Sequence, residues 1–288
     1  MTAMTDEGDL VPQASRRTIL ANFSFGRDGV DFGARLAAAA AGGFDGIGLN
    51  VEEYARLISE GLTDAQVTTM LDDHGLAIME LEALHRWGRA SEPDPRTPGN
   101  EVLLEHMAGT FSVPHCVVIG YYDGSFDQTV DLFGDLCDRM AHTGVRLALE
   151  FLPLTEVASA WDAVAMVGAA DRPNGALCID IWHHTRGGSD WAALEALPAG
   201  RVATIQLDDG PATPQTDDYY LETMHQRHLP GSGEFAIDRF LEVMNVVAPD
   251  APISAEVMSD ELWAMDPVEI GRRVGQATRS SLARNRSA

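Results

Sequence analysis

Four short apolar runs, each ending on an oxygen-bearing side chain, constrain this chain more than any other feature. The clearest is Ala176-Leu177-Cys178-Ile179-Asp180, followed by Ile181-Trp182-His183-His184, a Gly187-Gly188 break, and Asp190, which is suited to capping a new helix. The others are Arg146-Leu147-Ala148-Leu149-Glu150, Val202-Ala203-Thr204-Ile205-Gln206-Leu207-Asp208 and Pro252-Ile253-Ser254-Ala255-Glu256. A carboxylate at the end of a buried strand is costly unless something pairs with it. One reading pairs these carboxylates with arginines such as Arg146 or Arg186. The other lets parallel strands bring Glu150, Asp180, Gln206 and Glu256 to one point, where oxygen ligands suit a hard divalent cation. Three carboxylates at equivalent positions favour the cation, because like charges repel unless a positive charge holds them. Gln206 is the weakest member, since an amide also serves to satisfy backbone.

The rest of the chain repeats the strand-then-helix order. Strands are expected at Thr18–Phe23, Gly46–Asn50, Leu76–Leu84 and His115–Gly120, and then at runs ending on Glu150, Asp180, Leu207 and Glu256. Helices are expected at Val30–Ala41, Val67–His74 behind a Thr63-Asp64-Ala65-Gln66 capping box, Asn100–Phe111, Phe126–Thr143, Glu156–Gly168 and Asp190–Ala196. Two more precede Ala248 and follow Pro267. No two strands are close enough for a hairpin, so the sheet is parallel with helices outside. Eight such units predict an α/β fold, a closed (β/α)8 TIM barrel forming a single domain over residues 17–288 after a flexible tail over 1–16. The rival, an open nucleotide-binding sheet, lacks a Gly-x-Gly-x-x-Gly turn after an early strand. In a barrel the active site lies at the C-terminal ends of the strands, where the four oxygen-bearing residues fall.

Charge narrows the partners. The formal net charge is −24, and all 20 basic side chains are arginine. Such a surface repels phosphate backbones and anionic membranes, so neither nucleic acid nor a membrane is expected as partner. The absence of lysine excludes Schiff-base chemistry on a lysine side chain. With 45% hydrophobic residues, no bilayer-length apolar run and a polar N-terminus, the expectation is a soluble cytoplasmic protein; homo-oligomers are compatible with it. Cys116, Cys137 and Cys178 are odd in number and sit in apolar context, as buried reduced thiols do.

Further candidates follow from their places after strands. His183 lies three residues past Asp180, placed for substrate contact or acid–base work. His85 and Arg86 follow the third strand, and Tyr121 follows the fourth, as pocket lining. Arg227 lies in the long loop after the seventh strand, ahead of Pro230-Gly231-Ser232-Gly233-Glu234, where it can anchor substrate beside Asp208. Glu82 shares a strand face with Glu80.

Taken together, Ala148-Leu149-Glu150, Ile179-Asp180 with His183, Ile205-Gln206-Leu207-Asp208-Asp209, Arg227 with the Pro-Gly-x-Gly turn, and Ser254-Ala255-Glu256 resemble the xylose isomerase-like TIM-barrel superfamily of sugar phosphate isomerases and epimerases. The resemblance implies one divalent ion, Mn, Mg or Co before Zn, on Glu150, Asp180, Gln206 and Glu256. It implies Glu150, His183 and Glu256 as catalytic groups, and Arg227, His85, Arg86, Tyr121 and Asp208 as substrate contacts. The implied activity is an isomerase or epimerase of a sugar or keto-polyol working through a metal-stabilised enediolate. Gln206, where many epimerases carry His, resembles the 3-dehydroshikimate dehydratase branch and makes a dehydratase acting on a small polyhydroxylated or keto-acid substrate the alternative. An inactive sugar-binding barrel and a zinc nuclease of the endonuclease IV type are the remaining alternatives, and the acidic charge opposes the last.

Overall fold

The structure is a computed structural model and describes residues 16–26, 30–85, 87–88, 97–119, 122 and 124–286. Residues 1–15 of the expected tail, Arg86 and Tyr121 lie outside the described residues. Eight strands, β1 (Thr18–Leu20), β2 (Gly46–Asn50), β3 (Ala77–His85), β4 (His115–Ile119), β5 (Arg146–Glu150), β6 (Gly175–Asp180), β7 (Val202–Leu207) and β8 (Ile253–Ala255), run parallel in sequential order. β8 pairs with β1, which closes the barrel. This is the expected TIM barrel.

Helices cover the outside. Those that bear on the argument are α1 (Phe32–Gly42), α2 (Asp64–His74), α3 (Thr97–Phe111), α4 (Ile181–Arg186), α5 (Tyr219–His225) and α6 (Pro267–Arg286). The predicted capping box is present at α2, where the Thr63 side chain accepts from the Gln66 N–H and the Gln66 side chain bonds back to the Thr63 N–H. Element ends shift by a few residues from the sequence expectation, as where the helix expected over Glu156–Gly168 spans Ala160–Ala170, and three differences bear on the site. β1 stops at Leu20 because Asn22–Phe25 turns into a 3-10 helix. Asp180 ends β6 and also caps α4, its Oδ1 accepting the Trp182 N–H at 2.7 Å, so His183 sits on a helical turn. The long loop after β7 contains α5.

The main apolar core lies between the sheet and the helices, with Leu36, Leu49, Leu81, Phe133, Trp182 and Phe240 among its fully buried side chains. Inside the barrel the filling is different. Ala83, Val117, Ala148, Ala176, Cys178 and Ala203 form a small inner cluster. Beside it the axis is polar. Glu80 accepts hydrogen bonds from Thr204 Oγ1 at 2.8 Å and Ser254 Oγ at 2.6 Å, and bonds His115 Nε2 at 2.8 Å. Burial would raise the Glu80 carboxyl, but those bonds hold it below the ordinary carboxylate value.

At the N-terminal ends of the strands, arginines tie the backbone together. Arg146 donates to the carbonyls of Gly200, Arg201 and Val202, and Arg201 to those of Arg172 and Gly175. Arg16 donates to the carbonyls of Met244 and Ala251, so docking begins one residue inside the expected tail. The planar guanidinium spans several carbonyls at once, which a lysine ammonium does less well.

α1 and α6 pack at close range, because a methyl group built on Gly271 would overlap the carbonyl of Ala38. Gly109 in α3 is exposed, and a methyl there meets nothing within 4 Å. Gly271→Ala is therefore expected to destabilise the fold by about 1–3 kcal/mol, and Gly109→Ala to stabilise it by about 0.5–1 kcal/mol. Urea unfolding of the two variants checks both signs.

Candidate metal centre

The parallel register sets the polar residues side by side. Glu150 pairs across the sheet with Cys178, Asp180 with Gln206, and Gln206 with Ser254, while Glu256 follows directly on β8. Glu150, Asp180, Gln206 and Glu256 are all buried. Among the described residues, Glu150, Asp180 and His183 offer ligand atoms within 4.8 Å of one another. His183 Nε2 stands 3.5 Å from both Glu150 Oε1 and Asp180 Oδ2. The oxygen-rich set with one imidazole fits a divalent cation. Gln206 Oε1 lies 3.2 Å from the Cys178 thiol, which donates to it.

Glu256 joins the group through Arg227, which is 1% exposed. Its Nη1 lies 3.0 Å from Asp180 Oδ2 and 3.2 Å from Glu256 Oε2, and it also donates to Asp208 Oδ2. The arginine that pairs with these carboxylates is thus Arg227. Arg146 is spent on carbonyls, and Arg186 forms a two-pronged bond to Glu222 at 2.8 and 2.9 Å. Burial alone would lower the Arg227 guanidinium, but Asp180, Asp208 and Glu256 hold it above its ordinary value.

One guanidinium does not compensate so many buried acids. Burial pushes Glu150 well up, and Glu256 and Asp180 push it further. Burial also raises Asp208 well above its ordinary value against the pull of Arg227. Its Oδ1 is buried without a hydrogen-bond partner. Glu256 is pushed up to about 7, by burial first and then by Asp180 and Glu80. Ionising this set together requires a further positive charge, and this is the physical case for a cation here.

Two residues hold the centre in place: Tyr219, which sequence reasoning does not single out, and Asp209, which it names within a motif without a role. The Tyr219 hydroxyl lies 2.5 Å from His183 Nδ1 and fixes the imidazole plane. Burial pushes His183 down to about 4, so the ring is neutral at neutral pH. Asp209 accepts the N–H groups of Gly210 and Phe235 on Oδ1 and those of Gly231 and Gly233 on Oδ2. A two-way backbone bridge between Asp209 and His228 then fixes Arg227 beside the end of β7. The Gly-rich turn after Arg227 hinted at an acceptor of this kind. Nothing in the sequence pointed to Tyr219. His85 ends β3 in an exposed position, outside the buried cluster. Among the described residues no helix is long and apolar enough to cross a membrane.

The family model described as xylose isomerase-like TIM barrel matches residues 36–277. The chain belongs to that family. Within the family, it is 28% identical over 236 residues to a 3-dehydroshikimate dehydratase of Pseudomonas aeruginosa, and 26% identical over 234 residues to one of Pseudomonas putida. Each match covers 78% of this chain and 36% of the relative, so the chain spans about a third of the length of these curated relatives. Among solved structures, the IolI protein with a bound zinc atom superposes with a TM-score of 0.82 at 17% identity, over 93% of this chain and 99% of that one. At that identity the likeness concerns the fold.

The raised acids carry a pH signature in the metal-free protein. Between pH 4.5 and 7 folded Glu256 keeps a proton that the unfolded chain releases, so stability falls as pH rises through about 7. His183 and His184, both pushed by burial down to about 4, act in the opposite sense between pH 4 and 6.5. In the presence of a chelator the melting temperature should fall as pH rises from 6.5 to 7, with a Glu256 contribution of at most about 1.4 kcal/mol per pH unit. Glu256→Gln should flatten that slope, as read by thermal melts at closely spaced pH values.

Proposed function

We propose that this chain is a divalent-metal-dependent carbon–oxygen lyase that dehydrates a small cyclic keto-hydroxy acid of the 3-dehydroshikimate type. The observation that carries this reading is Gln206 in register with Asp180 at the end of β7, within a stretch related to two 3-dehydroshikimate dehydratases. The residues proposed to hold the cation are Glu150, Asp180, Gln206 and Glu256. When bound, the cation supplies Lewis acidity to a carbonyl and a neighbouring hydroxyl.

His183 is the proposed base. It is neutral, its ring is fixed by Tyr219, and Nε2 faces the carboxylate cluster. Nε2 takes the proton alpha to the carbonyl; the beta hydroxyl departs with that proton as water, leaving a carbon–carbon double bond. A glutamate held by a cation is a weaker base than a free one, which assigns the proton to the imidazole. Arg227 keeps Asp180, Asp208 and Glu256 together as their internal counter-charge and is the cationic anchor proposed for the acidic end of the substrate.

A proton NMR time course in D2O, with 3-dehydroshikimate and separately with D-fructose, each with and without manganese, tests this. The expected result is a manganese-dependent unsaturated product from the keto acid. Deuterium incorporation into the ketose without elimination would replace the lyase by an epimerase. His183→Asn should lower turnover about 100-fold or more while manganese affinity, measured by calorimetry, holds. A parallel loss of manganese would make His183 a ligand instead of the base.

A further inference from the structure

Opposite the candidate ligands, on the β1–β3 side of the barrel, stands a carboxyl that the proposed mechanism does not use. Glu82 lies on the same inward strand face as Glu80, one layer nearer the C-terminal mouth, and is 1% exposed. Glu80 is fully engaged by His115, Thr204 and Ser254, whereas Glu82 is bonded on one side only. Its Oε1 accepts the Asn22 N–H at 2.7 Å, and the Phe23 N–H also bonds this carboxyl. Its Oε2 is buried and has no hydrogen-bond partner. A buried oxygen left in that state is destabilising and calls for a reason.

The surroundings make room for this carboxyl, and the cation that feels its charge, Arg35, does not bond it. β2 carries glycine at Gly48, and a methyl group there would overlap the Glu82 carboxyl. Arg35 is the nearby cation, but its Nη1 donates to Asn22 Oδ1 at 2.7 Å, and its Nη2, 3.9 Å from Glu53, has no hydrogen-bond partner. The nearby carboxyls of Glu80 and Glu256 disfavour a further negative charge, and burial, the largest influence, pushes Glu82 well above the ordinary carboxylate range. With Oε1 occupied as an acceptor of backbone N–H groups, the proton of the neutral acid belongs on Oε2.

We infer that Glu82 is a substrate-binding residue whose Oε2–H donates to an uncharged oxygen, a hydroxyl or carbonyl, on the part of the substrate remote from His183. The inference rests on the reading of this mouth as a substrate site and deepens it. The substrate carries oxygen at both ends, and the end on the β1–β3 side is neutral; an acidic group belongs on the Arg227 side. A carboxylic acid kept protonated supplies a donor where an ionised one would repel an oxygen-rich ligand.

Infrared spectroscopy of the full chain reads the proton directly. In the manganese-loaded His183→Asn protein the protonated-carboxyl C=O absorption should contain a Glu82 band, isolated as the difference from His183→Asn/Glu82→Gln, and that band should shift to lower frequency when 3-dehydroshikimate or D-fructose is added. A spectrum unchanged by Glu82→Gln overturns the inference, as does a band that stays fixed while calorimetry shows the ligand bound. If calorimetry shows that neither compound binds, the reading of the mouth falls and takes this role with it, a result distinct from binding with a fixed band. With His183 intact, Glu82→Met should raise KM about tenfold with a smaller effect on kcat, and Glu82→Gln, which keeps both an acceptor and a donor, should recover most of that loss. An unchanged KM in a folded, manganese-binding Glu82→Met protein would also overturn the inference.

Discussion

Repulsion among buried carboxylates is the constraint around which this barrel is arranged. Asp180, Asp208 and Glu256 converge on a single guanidinium, and Glu150 faces a neutral imidazole. Each acid is withdrawn from water, where the ionised form is most expensive. A nearby positive charge is consequently a structural requirement. The Asp209 turn, the backbone bridge to His228 and the Thr223 carbonyl that receives Arg227 Nε at 3.0 Å all serve to keep that guanidinium in place.

Beneath this charged layer the barrel axis is built differently from its outside. The space between sheet and helices is filled by large aliphatic and aromatic side chains, whereas the interior uses alanines, a cysteine and a hydrogen-bonded glutamate. Small residues let strands β5 to β7 carry polar side chains at their ends without a bulky layer forcing them outward. Glu80 links β3, β4, β7 and β8 across the axis, so the platform under the site is a bonded network as well as a packed one.

Much of this was legible from strand endings. The alternation of apolar runs and helices defines a parallel barrel, and the period of two along each strand places Glu150, Asp180 and Gln206 on the inner face. Charge logic offers an arginine partner for the carboxylates only as the rival to a cation, and the arginines it names are Arg146 and Arg186. The sequence offers Arg227 as a substrate anchor, but a loop arginine has no periodicity to show that it also lands among the carboxylates. Tyr219 carried no signal for the same reason: its contact with His183 spans 36 residues and depends on a helix inside what reads as loop. Asp180 was seen as a strand end and missed as a cap, since one side chain performs both tasks at one residue.

The carbonyl-bound arginines have a consequence for how ions meet this molecule. β5 begins on Arg146 and ends on Glu150; β7 is preceded by Arg201 and followed by Asp208. Both arginines are bonded to backbone carbonyls, and among the described residues neither is in an ion pair with a carboxylate. These strands are therefore polarised along the barrel axis, positive at one pole and negative at the other, over and above the overall acidity. The arginines that staple the strands together thus also decide which end of β5 and β7 is the more negative, and the acidic end is the one a cation is drawn to.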